Sequence, residues 1–202
     1  MIRWMVRKLS EQPAAFDGLR WILEGGYTGH QSVFRQELSG PIDKILDLGC
    51  GTGIYSCFFG TDAYVGADCS SEYLRAATRT FPGYQFILAD AAQLPFADAS
   101  IPVCMMSGVL HHLPDDTVHR ALSEVSRILH PNGRFVVWED IASAWWNLSG
   151  HIIHALDAGR HIRTSEEYRQ LLAQHLEISS DRRIRSGIMD YVVFSCTHRT
   201  PA

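Results

Sequence analysis

Residues 45–56 read ILDLGCGTGIYS, and this stretch decides the fold. Ile45, Leu46 and Leu48 flank the acid Asp47. Glycines follow at Gly49, Gly51 and Gly53, and an apolar run over 54–59 resumes at helical spacing. A buried strand whose glycine-rich turn opens a helix is where open α/β folds bind nucleotide-like ligands. The glycines let backbone approach the ligand, and a helix N-terminus offers free N–H donors. The spacing is G-x-G-x-G, not the G-x-G-x-x-G that seats a pyrophosphate. An acid two residues before the first glycine suits a ligand with a cationic end and no phosphate.

The run D-L-G-C-G-T-G, with Asp47, Gly49, Cys50, Gly51 and Gly53, resembles the first motif of the class I S-adenosylmethionine-dependent methyltransferases. Within that class it is closest to the small-molecule type that includes the ubiquinone and menaquinone enzymes. The resemblance implies an α/β fold: a Rossmann-like seven-stranded sheet, mostly parallel with an antiparallel terminal strand, and helices on both faces. It also implies S-adenosylmethionine as cofactor and S-adenosylhomocysteine as product. The Asn-rich signature of the quinone enzymes is absent, so the resemblance does not extend to a quinone acceptor.

Further motifs follow in order. A second strand over 63–67 ends at Asp68, followed by Cys69. An acid there supplies two rigidly held acceptors for a ribose diol, or else caps the helix that begins near Ser70. A third strand over 84–89 ends at Asp90, followed by Ala91 and then Leu94. In the family resembled, the acid here meets the adenine amine, while the next N–H and the apolar residues frame the ring. The other reading of Asp90 is a plain loop acid.

A fourth strand, 103–107, is apolar on both faces, as a central parallel strand should be. It runs through Ser107 and Gly108 into His111 and His112. The small residues allow close approach to the methionine part of the cofactor. The two histidines fall at the carboxyl edge of the sheet and are the candidate general bases. A helix over 115–129, a Leu129-x-Pro131-x-Gly133 turn and a fifth strand over 134–138 complete the resemblance, the strand ending in Glu139 and Asp140. Thr164-Ser165-Glu166-Glu167 reads as a capping box for a helix over 165–175, and a terminal hairpin over 176–184 and 191–198 closes the sheet.

One domain over 1–202 is expected. Residues 1–41 form a helical lid, with helices over 13–23 and 30–38; 42–140 form the cofactor core; 141–175 form an acceptor-side insertion; and 176–202 form the terminal strands. Tyr27 and His30 lie in the joint between the lid helices. The insertion is apolar, with Trp145 and Trp146. His151 and His154 sit one helical turn apart, but no third ligand is evident, so no metal site is expected.

Composition bounds the partners. A net charge of −4 argues against nucleic acid as the main partner. Five cysteines without a C-x-x-C pair, four of them in contexts typical of buried thiols, fit a reduced, cytoplasmic protein. No apolar run is long enough to span a bilayer. The basic amphipathic stretch MIRWMVRKLS could rest weakly on a membrane surface or fold onto the domain. The expected partner is a small, partly apolar methyl acceptor, and the chain is expected to be a monomer or homodimer. Two other functions fit the same features: a cofactor-binding regulatory module without turnover, and a nicotinamide-dependent oxidoreductase. The glycine spacing counts against the latter.

Overall fold

The computed structural model describes residues 13–141 and 161–199. The N-terminal basic stretch, and the segment with Trp145, Trp146, His151 and His154, lie outside the described residues. Seven strands form one sheet in the order β3-β2-β1-β4-β5-β7-β6. They are β1 (Ile45–Leu48), β2 (Tyr64–Asp68), β3 (Gln85–Leu88), β4 (Ile101–Ser107), β5 (Leu129–Asp140), β6 (Leu176–Ser186) and β7 (Met189–His198). β1 pairs parallel with β2 and β4, and β2 with β3. β4 pairs parallel with β5, while β7 runs antiparallel between β5 and β6. The strand order reverses between β1 and β4, so the crevice at their carboxyl ends is where an open α/β sheet binds ligands.

Alternation along the central strands builds two cores. Leu46, Leu48, Cys104, Met106, Phe135 and Val137 face one side, against α4 (Asp115–Ile128) and α5 (Ser165–Ala173). Ile45, Val103, Met105, Val136 and Trp138 face the other, against α2 (Thr28–Gln36). Central strands covered on both faces read as unbroken apolar runs, which is why β4 carries no alternation in its sequence. α1 (Pro13–Leu23) and α2 are tied to the β6–β7 turn. Ile188 N–H donates to the Leu23 carbonyl (3.0 Å), Ser186 Oγ donates to the Glu24 carbonyl (2.7 Å), and Gly29 N–H donates to Ser186 Oγ (3.2 Å).

α3 (Ser71–Thr80) begins where its sequence demands. Ser70 is the N-cap and accepts from Tyr73 N–H at 3.3 Å. Ser70→Ala should cost about 1 kcal/mol of stability, the usual value of a hydroxyl cap, measured by urea unfolding. A loss within error of zero would mean that Asp68, which also bonds this turn, caps the helix alone.

Two expectations are corrected. The α-helix expected directly after the glycine turn is a three-residue 3-10 turn, Ser56–Phe58. The whole β1–β2 connection is residues 49–63. The glycine turn uses its beginning and a second turn around Gly60 its end, which leaves too few residues to nucleate an α-helix. In its place Tyr55 turns into the core, and Phe58 stacks on Phe34 with ring centroids 4.1 Å apart. The cysteine expectation also changes. Cys50, Cys104 and Cys196 are buried, but Cys57 and Cys69 are exposed.

Candidate active site

Everything placed at the cofactor side by the sequence lies at the carboxyl ends of β1, β2, β3 and β4. The glycine turn is held from below. Gly49 and Cys50 N–H both donate to the Ala67 carbonyl at 2.7 and 3.1 Å, and Gly53 N–H donates to the Cys50 carbonyl at 2.9 Å. Gly49, Gly51 and Gly53 all have positive φ, of 78°, 54° and 74°, the left-handed region that glycine enters without a Cβ penalty. Their surroundings differ. A Cβ at Gly49 would stand 2.3 Å from Val109 Cγ2, whereas a Cβ at Gly51 would meet nothing within 4 Å. Gly51 is therefore where the turn faces open space.

Asp68 spans that space. One oxygen accepts from Gly51 N–H at 2.9 Å and the other from Ser70 N–H at 2.7 Å. It braces the turn, the N-cap itself being Ser70, and each carboxylate oxygen keeps a second lone pair. Asp47, by contrast, is sealed in. It is buried beneath the turn and accepts from Tyr64 Oη at 2.6 Å. Burial pushes its carboxyl up to about 7, against the Tyr64 hydrogen bond and with help from the nearby Asp68 charge.

Asp90 is exposed, with Oδ1 accepting from Ala92 N–H at 2.9 Å. Beside it stand half-buried Ala91 and buried Leu94, the latter with its N–H on Glu124 Oε2 at 2.7 Å. Exposed Cys69 follows Asp68 directly. S-adenosylmethionine fits this arrangement: an open face over Gly51, hydroxyl acceptors on Asp68, an exposed acid for the adenine amine and apolar residues for the ring.

On the other side of the crevice, β4 ends at buried Ser107 and the chain turns through Gly108 into a 3-10 turn, Leu110–His112. Glu139 of β5 holds that turn. Its carboxylate accepts from Val109 N–H at 2.9 Å, Leu110 N–H at 2.8 Å and His111 N–H at 3.3 Å, and His111 Nδ1 lies 2.9 Å away. His111 is buried, with Nε2 4.0 Å from Asp140 Oδ2; His112 is exposed, its ring centroid 4.0 Å from that of His111. Glu139 is thus a structural acid of the turn.

Arg163 was invisible in the sequence because its partners are carbonyls far along the chain. Its guanidinium donates to the carbonyls of Leu110 (2.8 Å), Leu113 (2.8 Å) and His161 (3.1 Å), and to Asp115 Oδ1 (2.6 Å). His161 N–H in turn donates to the His111 carbonyl at 3.0 Å. Arg163 is 8% exposed whereas the Asp115 side chain is 71% exposed, so the ion pair itself contributes little and the carbonyl bonds dominate. Arg163→Met should cost about 2 kcal/mol by removing the donor to the Leu113 carbonyl and the second of two donors to the Leu110 carbonyl, and should speed amide exchange at residues 110–113. Unchanged exchange there would remove Arg163 from its role in holding the histidine turn.

The fold and this crevice define a class: an open α/β sheet that binds an adenosyl ligand over a G-x-G-x-G turn. Residues 46–137 match the family described as methyltransferase domain. A demethylmenaquinone methyltransferase from Paenarthrobacter aurescens is 35% identical over 122 residues, covering 57% of this chain and 47% of that protein. The chain spans about half the length, or less, of the curated relatives it matches. Among solved structures, a TehB-like SAM-dependent methyltransferase from Corynebacterium glutamicum superposes with TM-score 0.67 at 18% identity, over 92% of this chain and 96% of that one. Geranyl diphosphate C-methyltransferase from Streptomyces coelicolor, solved with S-adenosylhomocysteine, superposes with TM-score 0.62 at 16% identity, over 80% and 75%. Among the described residues no helix is long and apolar enough to cross a membrane.

Proposed function

We propose that the protein transfers a methyl group from S-adenosylmethionine to a small, partly apolar acceptor. The observation that carries this reading is the open face at Gly51, the only glycine of the turn whose missing side chain points into free space, with Asp68 bonded across it. When bound, the cofactor supplies a methyl group on a sulfonium and leaves as a neutral thioether.

The chain's own residues do the rest by position. The Gly49–Gly53 backbone and Asp68 hold the ribose end, and Cys69 lies along its edge. Asp90 and Ala91 take the adenine. Asp47 acts from below, fixing the turn through Tyr64 rather than touching ligand. Ser107 and Gly108 leave room at the reacting end, and the His111–His112 turn, clamped by Glu139 and Arg163, forms the wall against which the acceptor lies in line with the methyl group. A site shielded from water there leaves the acceptor nucleophile unsolvated as it approaches the sulfonium. The apolar sequence of 141–159, between β5 and α5, is suited to covering an apolar acceptor.

The test is a labelled-methyl assay: purified protein, S-adenosylmethionine carrying a radiolabelled methyl group, and a small-molecule extract of bacterial cells. Label appearing in a new small molecule, identified by mass, is the expected result. Label that stays in the cofactor, or moves only into protein or RNA, would contradict it.

A further inference from the structure

Two histidines from separate segments meet between α4 and the end of α5, and the site described above uses neither. His119 lies in α4, and His175 stands between α5 and β6; both are half-buried. His119 Nδ1 is 3.0 Å from His175 Nε2, although the two residues are 56 apart in the chain, so no spacing rule reveals the pair. Their ring centroids are 5.3 Å apart and the planes are tilted by 47°. A neutral imidazole has one N–H and one bare nitrogen, so in this pair one facing nitrogen donates to the other. Burial, and then the neighbouring His119, push His175 below its ordinary value, which keeps its ring uncharged near neutral pH.

That separation is also the bite of a metal ion. Imidazole nitrogens bind zinc at about 2.0–2.1 Å, so two of them on a tetrahedral ion stand about 3.3 Å apart. At the right angles of square-planar copper(II) or nickel(II) they stand about 2.9 Å apart. The observed 3.0 Å lies between the two. Exchanging the shared proton for an ion needs no net loss of protons. The facing N–H moves to the far nitrogen of the same ring, and both facing nitrogens then present lone pairs. Asp115 stands one helical turn before His119 on the same face of α4. Its Oδ1 takes both Arg163 bonds, which leaves Oδ2 to hold a water on the ion. Among the described residues no third histidine, cysteine or carboxylate joins the pair directly, so water fills the remaining positions.

We propose that His119 and His175 form a binding site for a divalent transition-metal ion of the zinc, copper and nickel class, which ties α4 to the junction of α5 and β6. Two imidazoles select these ions over magnesium and calcium, which take oxygen ligands. Both histidines are half-buried, so the ion enters from solvent without opening the core. An occupied site clamps the segment from 163 to 175 onto α4 at two places: the Asp115–Arg163 pair holds one end, and the ion holds the other. The histidine turn leads directly into α4, and Arg163 holds that turn through the Leu110 and Leu113 carbonyls. The ion therefore braces the same wall from the far end of α5. The site does not rest on the methyltransferase reading, since neither histidine belongs to the crevice.

The test uses the full chain, freed of metal with a chelator, and zinc chloride as the probe. Zinc at about 100 times its dissociation constant should raise Tm by about 5–10 °C, and magnesium chloride at the same concentration should leave Tm unchanged. His119→Gln and His175→Gln keep a polar side chain at a half-buried position. Each should weaken zinc binding by roughly 100-fold in calorimetric titration, the upper end of what losing even an outer partner of a metal site costs. A trace of copper(II) added to wild type should broaden the amide signals next to His119 and His175 before all others, which locates the ion without any substitution. A zinc-induced rise in Tm that survives both substitutions, or broadening that begins at other histidines, would overturn the proposal. So would a wild-type Tm that zinc leaves unchanged, which would make the pair a hydrogen bond and nothing more.

Discussion

Gly51→Val should lower S-adenosylhomocysteine affinity by roughly 100-fold, about 3 kcal/mol, and leave a folded protein. Gly49 and Gly51, both at positive φ, separate binding from folding, because valine pays the left-handed backbone cost of about 1–2 kcal/mol at either site. At Gly51 the added side chain enters open space, the space the cofactor needs. At Gly49 the same side chain would drive into Val109, whose Cγ2 stands 2.3 Å from the new Cβ and whose branched side chain has one comfortable rotamer. Gly49→Val should therefore lose about 4 kcal/mol or more of stability, the size reserved for overpacking combined with backbone strain. Calorimetric titration and urea unfolding of both variants make the comparison. Wild-type affinity in Gly51→Val would move the ligand away from this turn.

Asp47 and His30 should give the protein a stability that is nearly flat in acid for a reason visible only when one of them is removed. The carboxyl of Asp47 is pushed up to about 7 by burial. From about pH 4 to 7 the folded protein holds a proton there that the unfolded chain has released, so this group makes stability fall as pH rises. His30 is pushed down to about 4. From about pH 6.5 down to 4 the unfolded chain binds a proton that the folded protein refuses, so this group makes stability rise with pH. Each effect amounts to about 3–4 kcal/mol at 1.36 kcal/mol per unit, and over their shared window the two oppose. Asp47→Asn should expose the His30 slope, stability climbing by about 3 kcal/mol between pH 4 and 6.5. His30→Gln should expose the reverse slope. Parallel pH profiles for the three proteins would show that neither group is perturbed.

Much of the fold was legible because its signals are local. The strand–glycine-turn at 45–53, the apolar run of β4, the amphipathic α4 and the capping box at Thr164 each state their structure within a few residues, and the structure places all of them. The missing helix after Gly53 failed for a length reason: periodicity over 54–59 was present, but a connection of residues 49–63 had no room to use it. What was legible of the candidate site is position along the sheet: Asp68, Asp90 and Ser107 each stand at or just past the carboxyl end of a strand. It was illegible where partners come from distant segments. Asp47 is expected from sequence as a ligand acid, and its hydrogen bond to Tyr64 on the neighbouring strand has no signal in the spacing. Arg163 meets carbonyls fifty residues away, and the Tyr55–His30 hydrogen bond needs α2 folded against β5 and β7. No spacing rule encodes such meetings.

The placement of the cofactor is the claim on which the rest stands, and amide NMR during titration with S-adenosylhomocysteine tests it most directly. The account predicts shifts at the amides of 49–53, at Asp68, at Ala91 and at Gly108, saturating together, with the amides around Phe34 and Phe58 unmoved. No shift at the glycine turn, or shifts centred on the Phe34–Phe58 groove, would contradict it.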